Sequence, residues 1–327
     1  MALGIRNPLK FDFIDAPDEM TMARALHILR NLGAVDAQCQ ITPTGKRMAQ
    51  FPVPPRMAKS LLAAYYGGGD GDPYDCVHEV VSIAAMMEVE DRLWWKPARP
   101  EERDQFKRTK ALFYHSSGDH LTLLNVFNAY SAVKNSGDTR RWAQDHYVNH
   151  RTMKRVEDIR RQIERTLIRV IQQTELHNNY QHGGGGSVQI VFKVNRPEYA
   201  KYYENILKAL LSGHFMNIAV KGFGEHFWRF RLVSLDLEGR EKAVDVVDKA
   251  KAHQSSIFEK NESANWVIFD DVTWTHSPML KTISAIKPAW LHQIDSNGYF
   301  DVRALVNDKT PISQVLKDTA PVMAQGQ

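Results

Sequence analysis

Apolar residues recur at helical spacing in Met22, Ala25, Leu26, Leu29 and Leu32, and Gly33 follows as a residue suited to closing a helix. The pattern predicts a helix running to about Leu32, with Asp18 or Thr21 as its cap. Two short extended pieces at 34–35 and 40–42 then flank polar residues suited to a hairpin turn. Pro43-Thr44-Gly45 opens a short helix that ends before Phe51-Pro52. Helix, hairpin, helix within so short a stretch predicts a winged-helix module. Such a module either reads DNA through a recognition helix or serves as a packing platform. No cluster of Arg/Lys with Asn/Gln favours base reading here.

Residues 56–175 read as mostly helical. Helices are expected near 56–66, 75–87, 100–113, 120–130 and 151–173. Glycines and aspartates at 67–73 predict a loop, but one without the ligand spacing of a calcium site or the Lys-Ser/Thr of a phosphate cradle. Trp94-Trp95 reads as a packing anchor rather than a stacking platform. Acids early and bases late in 100–113 complement a helix dipole, and Asp119 is placed to cap the helix after it. In 151–173 the buried face is marked by Met153, Val156, Ile159, Ile163, Leu167 and Val170. Arg161, Arg165 and Arg169 stripe another face, either solvated or lining a groove for a sugar–phosphate backbone.

The polar, glycine-rich stretch HNNYQHGGGGS at 177–187 predicts a linker, whether a natural insertion or a cloning scar. Beyond it, 188–194 reads as extended and 199–212 as helical. Residues 215–220 and 227–235 read as strands, 242–252 as a helix, and 266–269 and 272–274 as paired short strands. Short strands around an embedded helix are compatible with an OB-like barrel.

The chain has 327 residues, enough for two or three domains, and its 43% hydrophobic, 24% charged composition belongs to a folded protein. No apolar run is long enough to span a bilayer, and the start lacks the apolar core of a secretory signal. Cys39 and Cys76 cannot make a disulfide framework, which fits a reducing intracellular compartment. Charge is uneven. Residues 57–91 hold one lysine against seven acids, net −6, while 92–170 hold 17 Lys/Arg against nine Asp/Glu, net +8. The asymmetry predicts two faces with different partners, or helices with solvated charged faces. Phosphate-loop, metal-positioning acid, zinc and nucleophile-elbow motifs are all absent, so no catalytic centre is expected in this chain.

Several stretches carry a resemblance. Phe11-Asp12-Phe13-Ile14-Asp15-Ala16-Pro17 leads into Ile41-Thr42-Pro43-Thr44-Gly45 and Phe51-Pro52-Val53. Gly118-Asp119-His120-Leu121-Thr122-Leu123-Leu124-Asn125-Val126-Phe127 follows, with Trp142 and Asn149-His150-Arg151-Thr152-Met153. Later come Tyr202-Tyr203-Glu204-Asn205-Ile206, Lys208-Ala209-Leu210-Leu211-Ser212-Gly213, Trp266-Val267-Ile268-Phe269 and Ile286-Lys287-Pro288-Ala289-Trp290-Leu291. The ordered set, from about 11 to 291, resembles the C-terminal half of DEAH-box RNA helicases of the pre-mRNA-splicing and ribosome-biogenesis type. Both RecA-like motor domains of that family are missing, so the chain reads as a piece of a longer protein or a relative without a motor. His253-Gln254-Ser255-Ser256 stands where the family has His-Pro-Ser-Ser, which removes a φ restraint.

The resemblance implies an α+β multidomain chain: a winged helix at 1–56 and a helical ratchet-like bundle at 57–176. A linker and lead-in at 177–198 would precede an OB-like β-barrel at 199–310 with a divergent insert at 221–252, and a tail at 311–327. It implies contact with single-stranded RNA through Asn149, Arg151, Arg155, His253, Ser255, Ser256 and Lys281, without sequence reading. Its implied partners are the motor domains, which would hold ATP and Mg, and an activator protein with a glycine-rich patch. The setting implied is the nucleus, or else nucleolus or cytoplasm, with no membrane. No cofactor is expected in this chain itself. The other reading is a motor-less adaptor that docks proteins on its winged-helix and barrel surfaces, with the acidic block 57–91 and the insert 221–252 as docking faces.

Overall fold

The structure is a computed structural model and describes residues 1–5, 8, 11–68, 73–134, 137–181, 190, 192, 196–198, 201–221, 226–233, 243–259 and 265–294. The expected glycine-rich linker at 183–187, the centre of the 67–73 loop, most of the extended piece at 188–194 and the tail 311–327 lie outside them.

The first module forms where the pattern placed it. Helix α1 (Glu19–Asn31) is capped by Asp18, whose carboxylate accepts the Thr21 N–H at 2.9 Å. A single bridge joins Val35 to Ile41, and α2 (Pro43–Met48) follows. Thr42 holds both helices: its hydroxyl accepts from Gly45 N at 2.9 Å and donates to Gly33 O at 2.6 Å. A Cβ on Gly45 would lie 2.0 Å from Ala34 O, so only glycine lets α2 approach the end of α1 this closely.

Helices α3 (Pro55–Tyr66) and α4 (Val77–Met87) enter the core. Nine of the eleven α4 residues are buried, because α4 lies between α7 (Asp119–Lys134) and α9 (His150–Gln181). The short α5 (Glu90–Leu93), α6 (Arg103–Ala111) and α8 (Thr139–Asp145) complete the bundle. Pro100–Glu102 is a 3-10 turn, so the helix expected from 100 begins as a tighter turn. Helix α9 continues to Gln181, past the break expected from 177.

Helix α10 (Tyr202–His214) packs on α3 at short range. A Cβ on Gly213 would meet Arg56 O at 2.0 Å, and Ser60 Oγ donates to Leu210 O at 3.2 Å. One continuous apolar core therefore runs from Leu32 and Phe51 through α4 to Leu210, Ile218 and Trp290.

Among the described residues five strands follow: β1 (Ile218–Lys221), β2 (His226–Val233), β3 (Ala243–Ala252), β4 (Trp266–Trp274) and β5 (Pro278–Ala285), then α11 (Ala289–Ile294). They close into a barrel in the order β1-β2-β3-β5-β4, with β3–β5 the parallel pair. It has its own small core, including Phe227, Val267 and Ile283.

Three expectations are corrected here. The helix expected over 242–252 is strand β3, and the described parts of the insert form β2 and β3. The register shift at the Arg229/Phe230 step leaves Val247 unpaired, and one extra residue breaks a period of two into spacings that mimic a helix. The two short strands expected at 266–269 and 272–274 are one strand, paired with β5 rather than with each other. Asp270 and Asp271 look like a turn in sequence; in the fold the Asp270 carbonyl accepts from Asn217 Nδ2 at 2.8 Å, and its carboxylate faces His214 Nε2 at 3.3 Å. Finally, helix α7 begins at Asp119 itself, and Asp119 does not cap it.

The Asp119 carboxylate is spent on the barrel. Oδ1 accepts from Ile257 N at 2.9 Å and Oδ2 from Ile283 N at 2.8 Å. The neighbouring turn is stitched on as well: Ala285 N donates to Ser117 O at 2.8 Å, and His120 Nδ1 meets Ser284 Oγ at 2.8 Å. Burial, then the charge of His214, pushes the fully buried His120 down to about 3, so it is a neutral imidazole in the fold.

Two outcomes follow. Asp119→Ala strands two buried backbone N–H groups and should cost about 2–5 kcal/mol of stability in urea unfolding. A loss below about 1 kcal/mol would show that the clamp is dispensable. The His120 value lies below that of an unfolded histidine, so between about 6.5 and about 3 the unfolded chain binds a proton that the folded chain refuses. Its contribution is present above that window and lost as pH falls through it, by at most about 1.4 kcal/mol per pH unit. The urea midpoint should therefore drop from pH 7 to pH 5 by more in the native chain than in His120→Asn; equal drops would reject the assignment.

Candidate nucleic-acid interface

The seven residues singled out by sequence fall into two groups. Asn149, Arg151 and Arg155 sit at the start of α9. Asn149 caps it: Oδ1 accepts from Arg151 N at 3.1 Å and Thr152 N at 3.2 Å. Its carbonyl-accepting side is thereby used, while Arg151 and Arg155, one turn apart, are exposed and make no ion pair with a described residue.

His253, Ser255, Ser256 and Lys281 belong to the barrel. Ser255 N donates to His253 Nδ1 at 3.2 Å, and the Ser255 hydroxyl lies 2.7 Å from the same atom. Ser256 is buried; its hydroxyl accepts from Phe258 N at 3.2 Å and reaches the Asp119 carboxylate. The loop is held from the bundle by Lys110, whose Nζ donates to Ser255 O at 2.9 Å. Lys281 donates to Asp91 Oδ1 at 2.6 Å and is only 18% exposed. Burial opposes its charge, but Asp91 and Glu90 outweigh burial and raise its pKa. Burial, then the Lys281 charge, lowers that of His253.

The start of α9 and, through Lys281, strand β5 are both anchored on one short segment, 90–95. Asn149 N donates to Leu93 O at 2.8 Å, Thr152 Oγ1 to Arg92 O at 3.1 Å, and Trp95 N to Tyr147 O at 3.1 Å, all from the α9 side. From the barrel side come Lys281 to Asp91 and Thr282 Oγ1 to Glu90 Oε2, each at 2.6 Å. Thr282 adopts φ +53°, unusual for a β-branched residue, and its hydroxyl is fixed by that bond. Three acids of the −6 block thus have partners within the chain: Glu90 and the exposed Asp91 on the barrel, and the buried Glu79 at Tyr202. Sequence reading took the block as an outer face; tertiary pairing commits these three acids within the chain, and only Asp91 stays exposed.

The aromatic doublet divides. Trp94 packs inward, with Phe106 and Phe113 at centroid distances of 6.2 and 6.0 Å. Trp95 stays 41% exposed, its ring 4.8 Å from Tyr147. Tyr114 is as exposed, and Lys110 Nζ lies 5.9 and 5.7 Å from the Trp94 and Tyr114 rings. Exposed Lys96 follows Trp95. Sequence reading took Trp94-Trp95 as a packing anchor, which describes Trp94 but leaves out the exposed face of Trp95, and it passed over Lys96, Lys110 and Tyr114 as site residues. Flat rings beside cations form a surface that accepts stacked bases and phosphates. Among the described residues no group of three or more His, Cys, Asp or Glu side chains is placed to hold a metal ion, and no helix is long and apolar enough to cross a membrane.

Residues 25–53 match the helicase-associated (HA2) winged-helix domain and 54–123 the HA2 ratchet-like domain. The chain is 31% identical over 295 residues to the pre-mRNA-splicing factor ATP-dependent RNA helicase prp22 of Schizosaccharomyces pombe, with 90% of this chain and 21% of that protein aligned. It is 28% identical over 299 residues to the probable ATP-dependent RNA helicase DHX35 of Homo sapiens, with 91% of this chain and 36% of that protein aligned, and equally similar to DHX35 of Pongo abelii. The chain thus spans between about a fifth and about a third of the length of these relatives. By its winged-helix and ratchet-like modules and by these relatives, the chain belongs to the DEAH-box RNA helicases and corresponds to their C-terminal, helicase-associated region.

Proposed function

We propose that this chain binds single-stranded RNA as the accessory region of an ATP-dependent RNA helicase acting in RNA processing, with pre-mRNA splicing the pathway that the name of one relative, prp22, favours. The observation that carries the reading is the convergence of the α9 start and of Lys281 on 90–95, beside exposed Trp95, Lys96 and Tyr114. Arg151 and Arg155 supply phosphate contacts, the exposed rings stack bases, and the His253–Ser256 loop covers the strand from the barrel. Lys281 and Ser256 act by shaping that loop rather than by touching RNA, since their polar groups are already bonded within the chain.

In this reading the barrel is of the OB type, supported by its strand order and its parallel β3–β5 closure. The modules divide as winged helix to 56, ratchet-like bundle to 176 and barrel from 199. Motor domains, carrying ATP and Mg, act as the partner across the RNA. A glycine-rich-patch activator binds the barrel or winged helix, and the site of action is the nucleus.

The test is a fluorescence titration with oligo-U at two salt concentrations. Binding should weaken as salt rises, through lost counterion release. Arg151→Ala should weaken binding several-fold and make the salt slope shallower by about one, whereas Arg108→Ala, on the charge-graded exposed helix α6, should change neither. Trp95→Ala should lower affinity about fivefold or more without altering the slope. Binding indifferent to salt, or equal affinities for the two arginine variants, would reject RNA contact and leave the protein-docking adaptor.

A further inference from the structure

We infer that a groove between the α2–α3 connection and the second half of α9 is a docking site for an acidic segment of a protein partner. The groove encloses about 450 Å³, with Gln50 and Pro52 on one wall and Asp158, Gln162, Arg165 and Arg169 on the other. A Gln50–Gln173 hydrogen bond of 3.4 Å links the two walls.

The charges at 157–164 of α9 are already answered. Arg160 pairs with Glu164 at 3.1 Å, Lys134 with Glu157 at 3.0 Å, and Arg161 with Asp158. Arg165 and Arg169 are exposed at the groove and have no ion-pair partner among the described residues. One turn separates them, about 6 Å along the axis. Two guanidinium forks at that interval suit two carboxylates on successive turns or alternate residues of a bound chain.

The lining favours peptide over nucleic acid. Among the described residues no aromatic ring lines the groove, so bases have nothing there to stack on. Gln50 and Gln162 offer amides, each both donor and acceptor, to a peptide backbone. The groove lies about 20 Å along α9 from Arg151, and this inference does not rest on the RNA reading.

The test uses a fluorescein-labelled dodecapeptide of alternating Glu and Ala, beside a labelled oligo-U, on the full chain. Arg165→Glu/Arg169→Glu should weaken the peptide about tenfold or more and leave oligo-U binding within about twofold. Arg151→Ala/Arg155→Ala should do the reverse. Because charge reversal can unsettle a helix, Arg165→Gln/Arg169→Gln is measured too and should weaken the peptide several-fold at an unchanged melting temperature. The inference is overturned if the native chain does not bind the peptide, if the Gln variant binds it as the native chain does, or if oligo-U is the ligand that the groove variants lose.

Discussion

Asp119 accepts two backbone N–H groups from separate parts of the barrel while sitting at the first position of a bundle helix. A buried carboxylate in that position must be fully bonded, because each unpaired oxygen costs several kcal/mol. Burial raises its pKa, and the bonds from Ser256, Ile257 and Ile283, with the charge of Lys110, work against that rise. The geometry of the candidate interface follows from this bond set. The loop carrying His253 and Ser255 is fixed at 257, strand β5 at 283, and between them the barrel edge is presented to segment 90–95.

That segment is the second joint. The acids at 90 and 91 take their partners from β5, and the carbonyls at 92 and 93 take theirs from the α9 start. Each link is modest, and Asp91 is well exposed, so its pairing with Lys281 is worth little by itself. Their effect is geometric. They hold Trp95 beside a helix start whose two exposed arginines have no ion-pair partner among the described residues.

The local elements were legible in sequence wherever one period dominated. Helix α1 with its Asp18 cap, the Val35–Ile41 pairing and α4 all follow from spacing and capping chemistry. The barrel was less so. A bulge at Val247 disguised β3, and Asp270-Asp271 disguised the continuity of β4, because the residues that look like breakers answer to His214, Asn217 and Arg56 across the fold. Among the site residues, exposed arginines at the start of α9 were readable. The internal commitment of Lys281 and Ser256 was not, since it depends on partners 190 and 137 positions away, at Asp91 and Asp119. The Gly118-Asp119-His120 motif was readable as a landmark, but its purpose appears only when β5 lies against it.

The joint at residues 117–120 also sets how this region can be recombined. Several of the barrel's polar groups, among them Ile257 N, Ile283 N, Ser284 Oγ and Ala285 N, are completed by a turn more than 130 residues earlier in the chain. A barrel transplanted from one relative to another therefore brings only half of its own wiring. A working chimera must carry the Ser117–His120 turn with the strands, so the unit of exchange is a discontinuous pair of segments rather than a stretch of sequence between two cut points.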